Sequence, residues 1–157
     1  YRKMAERVVN VLDRKYKKNI KSKTKNIVLF DHDFEYCKIK SLEYGISNHT
    51  FNKYYNIYGD KCIEIFKIFK REINSIHSED ELIIAEFIFS RRNEMCQSLL
   101  DFFSQRNSVV YFEIEKLHDY LKILEKYIIE KKIMSAKNWE KELHDLNNYV
   151  KEITIFI

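Results

Sequence analysis

The chain has 157 residues, 45% of them hydrophobic and 33% charged, which is the length of one ordinary domain with enough apolar mass for a core. Proline is absent and there are only two glycines, which excludes collagen-like chains, Pro-rich linkers, tight-turned β-sandwiches and Gly-rich phosphate loops. The formal charge of +4 is uneven: residues 1–25 carry ten basic side chains and two acids, a local +8, and the remainder is −4.

Residues 1–23 read as an amphipathic helix, with Met4, Val8, Leu12, Tyr16 and Ile20 recurring every four positions and basic residues on the other faces. Ser22–Asn26 is polar and reads as a linker. Ile27–Phe30 reads as a strand or a buried turn, since a short apolar run has no decisive period. Asp31 or Asp33 can cap a helix over about 34–44 that ends at Gly45, with Phe34, Cys37 and Leu42 inward. Ser47 offers the next cap, before a stripe of Phe51, Tyr54, Tyr55 and Tyr58 that stops at Gly59. Asp60 is expected to cap a helix over about 61–76 carrying Cys62, Phe66, Phe69, Ile73 and Ile76 inward. Ser78-Glu79-Asp80-Glu81 matches a capping box.

Beyond Glu79 there is neither Gly nor Pro. Leu82, Ala85, Phe89, Met95, Leu99 and Phe102–Phe103 continue a helical rhythm, interrupted by polar Ser90–Glu94. Ser104–Ser108 is favoured as a turn over the exposed face of one long helix. Val110, Ile114, Leu117, Leu121, Leu124 and Ile128 form the next stripe. Ser135 is expected to cap a last helix with Trp139, Leu143, Leu146, Val150 and Ile153 inward. The whole reads as one all-α domain over 1–157: a basic N-terminal helix over 1–25 and a body over 31–157. It is an antiparallel bundle of about five to seven helices, compact or elongated according to what 104–108 does.

Cys37, Cys62 and Cys96 are odd in number and widely spaced, so they read as buried free thiols and favour a reducing compartment. Asn48-His49-Thr50 is a glycosylation sequon that matters only in a secreted chain. No apolar run approaches the roughly 18–20 residues that span a bilayer, and no signal peptide is visible. A start at Tyr1 reads as a processed or excised piece. The Lys- and Ile-rich, Ala-poor composition suits an AT-rich genome.

No metal, cofactor or small-molecule site is implied. The histidines at 32, 49, 77, 118 and 144 share no helical i, i+3 or i, i+4 spacing. Glu115-x-x-His118 stands alone, where a di-iron bundle needs two such motifs. His32 between Asp31 and Asp33 reads as a helix-start cluster before it reads as a supported base. The surplus of tyrosines, Tyr54, Tyr55, Tyr58, Tyr111 and Tyr120 among them, suits a surface that binds another protein or a second copy of this chain. Arg14, Lys15, Lys17, Lys18 and Lys21 suit an anionic membrane or RNA, although the Met and Val of that helix's apolar stripe fit docking on a bundle better than insertion into lipid.

Arg71 and His77 have the Arg-x5-His spacing of the HEPN ribonucleases, a family also all-helical. That resemblance covers seven residues and implies Arg71 on a phosphate and His77 moving a proton. Glu72 departs from the pattern, standing where the family has Asn or Asp. In helix rhythm alone, Phe89–Leu124 resembles BAR-type membrane-curving modules. The reading these residues favour is a non-catalytic adaptor or scaffold domain that binds another protein. The alternatives are an anionic-surface binder acting through the basic helix and, behind it, the ribonuclease.

Overall fold

In the computed structural model of the chain, residues 1–17, 22–27, 33–73 and 78–154 are described. The described residues are helical wherever they are regular, and no strand occurs among them. They fall in two units, Tyr1–His32 and Asp33–Ile157. Helices of ten or more residues are α1 (Arg2–Tyr16), α2 (Phe34–Glu43), α3 (Asn48–Tyr58), α4 (Cys62–Glu72), α5 (Leu82–Asn93), α8 (Leu117–Glu130) and α9 (Ala136–Thr154). Between α5 and α8 lie two short helices, α6 (Leu99–Asp101) and α7 (Val109–Phe112), separated by a π-helical turn over Phe102–Arg106. This is an all-α helical bundle.

The first unit holds α1, shorter than its stripe predicts because Lys17 turns left-handed (φ 51°) and ends it. No residue of α1 is buried. Ile27 is exposed and irregular. Ile20 and the rest of the Ile27–Phe30 run lie outside the described residues.

In the second unit the caps follow the sequence closely. Asp33 accepts from the Tyr36 amide at 2.8 Å and starts α2. Ser47 accepts from the Thr50 amide and starts α3. Ser135 accepts from the Asn138 amide at the head of α9. Gly45 (φ 75°) and Gly59 (φ 57°) occupy the positive-φ positions that end α2 and α3. Two expected caps differ. Asp60 lies buried in a 3-10 turn, Gly59–Lys61, and α4 begins without a side-chain cap. Ser78 reaches the Asp80 amide, two residues on rather than three, because Glu79–Glu81 is wound as a tighter 3-10 turn.

The core is built around α5, buried without interruption from Leu82 to Ser90. A helix apolar on every side is a central helix. Helix α4 packs most extensively against it and presents Cys62, Phe66 and Phe69 as expected, with Ile63, Ile65 and Ile68 buried as well. Helices α2 and α3 cover α4, α8 packs on α5, and α9 packs on α6, where the Glu142 carboxylate accepts from the Leu99 amide at 2.9 Å. In α2 the inward residues are Cys37 and Ser41, while Phe34 and Leu42 are exposed. Cys37, Cys62 and Cys96 are buried free thiols.

The rhythm through Met95 breaks. Helix α5 ends at Asn93, Met95 is left-handed (φ 59°) and exposed, and Ser98 caps α6. The polar pause is a turn, with Asn107 closing the π-helical turn and Ser108 at φ 59°. The stripe from Val110 to Ile128 is buried except at Ile114, which sits on a 3-10 turn between α7 and α8. No helix of the described residues is long and apolar enough to cross a membrane.

Candidate functional site

The most developed polar site opens between α3, α5, the turn before α7 and the head of α8, as a cleft of about 220 Å³. Its innermost charged group is Glu86, only 5% exposed, in the middle of the apolar run of α5. Helical spacing brings Tyr54 and Tyr58 of α3 onto one face, one turn apart, and both hydroxyls reach this carboxylate. Tyr58 donates to Oε1 at 2.5 Å and Tyr54 to Oε2 at 3.3 Å. Burial pushes the Glu86 carboxyl up to about 7, against the two tyrosine hydrogen bonds and Lys53, which favour the ion. Burial and the neighbouring carboxylate both hold the Tyr54 and Tyr58 hydroxyls protonated. Tyr54 stacks on Tyr58, and Tyr58 meets Phe89 edge-on, which fixes the rings.

The rim is a lattice of charge. Lys53 of α3 and Lys116, just before α8, both hold the Glu113 carboxylate, at 2.7 and 2.8 Å. Lys116 first and Lys53 second hold Glu113 below the usual carboxylate range, and Lys116 is raised in return. Glu79 also lines the cleft but is engaged: it accepts from the Ser47 amide at 2.9 Å, the Ser47 hydroxyl and the Thr50 hydroxyl. Burial raises the Glu79 carboxyl, and the bonds from Thr50 and Ser47 outweigh it and leave the group lowered. Asn107 accepts from the Val109 amide through Oδ1, while its buried Nδ2 has no hydrogen-bond partner among the described residues. Tyr120 of α8 is buried against the cleft, and burial raises its hydroxyl.

The sequence-nominated residues land in different places. Tyr54 and Tyr120 are buried, Tyr55 is half-buried in a ring cluster with Phe34 and Phe51, and Tyr58 serves Glu86. These four are spent on the interior. Tyr111 is exposed, and its hydroxyl meets that of Tyr149. Arg71 forms an ion pair with the adjacent Glu72 at 3.0 Å, whose other oxygen accepts from Tyr127. His77, Lys18 and Lys21 lie outside the described residues. Lys15 and Lys17 are exposed, and Arg14 donates to the Asn10 carbonyl. The described residues contain no group of three His, Cys, Asp or Glu side chains placed to hold a metal ion.

Sequence reading missed Glu86, Asn107, Lys53 and Lys116. Glu86 carried a usable signal, an acid inside Leu82–Phe89, otherwise wholly apolar. The other three are ordinary polar residues until the fold brings them together.

An all-helical domain of this kind has known kin. The family "C-terminal domain of alpha-glycerophosphate oxidase" matches residues 22–142, most of the chain, and the chain belongs to that family. Among curated proteins it is similar to an aerobic glycerol-3-phosphate dehydrogenase of Staphylococcus saprophyticus subsp. saprophyticus, 28% identical over 176 aligned positions. That alignment takes in 100% of this chain and 30% of the relative, so the chain spans under a third of the relative's length. No solved structure matches the chain.

Family membership overturns the reading of a non-catalytic adaptor or scaffold domain. The error has a physical origin. A helical domain without converging reactive groups was read as a binding module, whereas a domain carried by a larger enzyme need not hold that enzyme's reactive groups.

Proposed function

We propose that this chain works as the helical C-terminal domain of a larger enzyme that oxidises glycerol 3-phosphate. The observation that carries the reading is the family match over residues 22–142, supported by similarity along the whole chain to under a third of a glycerol-3-phosphate dehydrogenase. The residues agree with that division of labour. The two glycines stop helices, so this chain has no Gly-rich nucleotide loop. Its buried carboxylate Glu86 is tied to Tyr54 and Tyr58 by hydrogen bonds that join α5 to α3. The domain acts as a rigid packed body beside the redox chemistry, while the reacting groups belong to the remainder of the enzyme. Helix α1 precedes the matched region, and its exposed Met4, Val8 and Leu12 suit burial in that remainder.

The test is an exchange. The matching C-terminal segment of the staphylococcal relative is replaced by residues 22–154 of this chain, and glycerol-3-phosphate-dependent dye reduction is measured. The chimera is expected to oxidise glycerol 3-phosphate above the level of a variant with the segment deleted. A folded chimera no more active than the deletion contradicts the proposal.

A further inference from the structure

Met4, Val8, Val9, Val11, Leu12 and Tyr16 of α1 are each between 48% and 65% exposed. At about 100° per residue they fill an arc of about 160°, which Lys15 enters only in the last turn. The comparable stripe of α8, Leu117, Leu121, Leu124 and Ile128, is buried. A lone helix of 15 residues is marginal in water and draws its stability from burying such a face. Beside the arc, Ala5 and Val9 line an open groove of about 500 Å³ together with Arg2, Glu6 and Ser22–Thr24. Arg2 and Glu6 are paired with each other at 2.9 Å, so the groove seeks no charged partner through them.

The features of α1 choose between the occupants that could cover this face. A second copy needs roughly 800 Å² per partner for a stable interface, whereas one face of a helix about 22 Å long and about 10 Å wide supplies much less. A lipid surface selects Trp, Phe and Leu on the inserting face, and this arc is mainly valine. Nucleic acid would engage the basic side chains and leave the arc uncovered. The rest of the larger enzyme meets none of these objections. The family match starts at residue 22, after α1, while the alignment with the dehydrogenase takes in α1 as well. Helix α1 therefore lies in dehydrogenase-like sequence but outside the C-terminal family, and the chain divides into its two units nearby, at His32. Contact within one polypeptide also escapes the association cost that two separate chains meet, so a small face suffices.

We propose that α1 is the last helix of the domain that precedes the C-terminal domain in the larger enzyme, seated in that domain by its Met4, Val8, Val11 and Leu12 face and by the groove beside Ala5. This rests on the proposed larger enzyme and adds a boundary to it: the C-terminal domain starts with α2, and α1 holds its helix through contacts with the preceding domain.

The test compares amide hydrogen exchange, read by peptide mass spectrometry, in the natural full-length polypeptide and in the 157-residue chain. In the 157-residue chain, peptides from α1 are expected to exchange within about tenfold of an unfolded peptide, because no residue of α1 is buried. In the natural polypeptide the same peptides should exchange at least about a hundredfold more slowly, with α5 slow in both. Oxidation of Met4 by hydrogen peroxide reads the face itself and should slow about tenfold in the natural polypeptide. Fast exchange of α1 there, or unslowed oxidation of Met4, overturns the proposal. So does protection of α1 in the 157-residue chain, whether constant or rising with protein concentration as a second copy would make it. So does protection in the natural polypeptide that appears only with phosphatidylglycerol vesicles. A natural polypeptide of 19.2 kDa overturns both this and the enzyme reading. A larger one that oxidises glycerol 3-phosphate while α1 exchanges fast overturns this alone, and a larger inert one with α1 protected overturns the enzyme reading alone.

Discussion

Replacing Glu86 by Gln keeps the shape of the buried side chain and removes its charge. Burial pushes the wild-type carboxyl from its ordinary 4.5 up to about 7 in the folded chain. Each tenfold in proton affinity is worth about 1.4 kcal/mol, so the difference amounts to on the order of 3 kcal/mol. Its sign follows from linkage. The folded state holds the proton more tightly than the unfolded state, so this contribution is fully present below about pH 4.5, is lost as pH rises towards about 7, and stays lost above. The groups that face Glu86 are Tyr54 and Tyr58 of α3, which donate to it, Lys53, which favours the ion, and Glu94, which opposes it. Urea unfolding followed by helical circular dichroism, at half-unit steps from pH 5 to 8, reads the effect. Wild-type stability is expected to fall across that range by up to about 3 kcal/mol relative to Glu86→Gln. Gln has no proton to lose there, so subtracting the two curves cancels titrations common to both proteins. Parallel curves refute the reasoning, because they mean that Glu86 titrates alike folded and unfolded.

Phe66 of α4 is completely buried with its ring against Tyr54 of α3, so Phe66→Ala should cost about 3–5 kcal/mol in the same unfolding assay; a loss below about 1 kcal/mol would place it at a yielding site. Glu79 ties the start of α3 to the segment before α5. Glu79→Ala should cost about 1–3 kcal/mol at pH 7 and much less at pH 3, since a lowered carboxyl stabilises above its unfolded value and loses that effect as pH falls. Tyr127→Phe removes the 2.9 Å bond from α8 to Glu72 and should cost about 1 kcal/mol, with the helical spectrum unchanged. Burial pushes the Cys62 and Cys96 thiols up to about 12 and about 11. A thiol reagent should therefore modify neither in the native protein and all three cysteines after unfolding.

Much of the fold was legible because the signals were local. Asp33, Ser47 and Ser135 cap through amides three residues away, and Gly45 and Gly59 are the two residues suited to the positive φ that ends their helices. Stripes such as Leu117–Ile128 report one buried face. The failures came where tertiary packing overrides rhythm. In α5, buried on every side, periodicity carries no information. Phe34 and Leu42 keep helical spacing yet lie exposed, because the close approach to α4 runs along Cys37 and Ser41.

The cleft was not legible because its parts are spread over 71 positions in sequence, from His49 to Tyr120. Asn107 looked like one polar residue in a turn, and Lys53 and Lys116 like solvated charges. Composition alone leaves the tyrosines open between a partner surface and core filling, because an aromatic surplus carries no information about burial. Tyr54 and Tyr58 are inside because one buried carboxylate needs their hydroxyls.

The most direct measurement of the central claim uses the native protein. An antibody raised against this chain is used to capture its natural polypeptide from cells of its source. Mass and glycerol-3-phosphate-dependent dye reduction are then measured on the captured material. The proposal that this chain is the C-terminal domain of a larger glycerol 3-phosphate-oxidising enzyme predicts a polypeptide much larger than 19.2 kDa that reduces the dye with glycerol 3-phosphate and not without it. A captured species of 19.2 kDa, or a larger one inert towards glycerol 3-phosphate, contradicts the account.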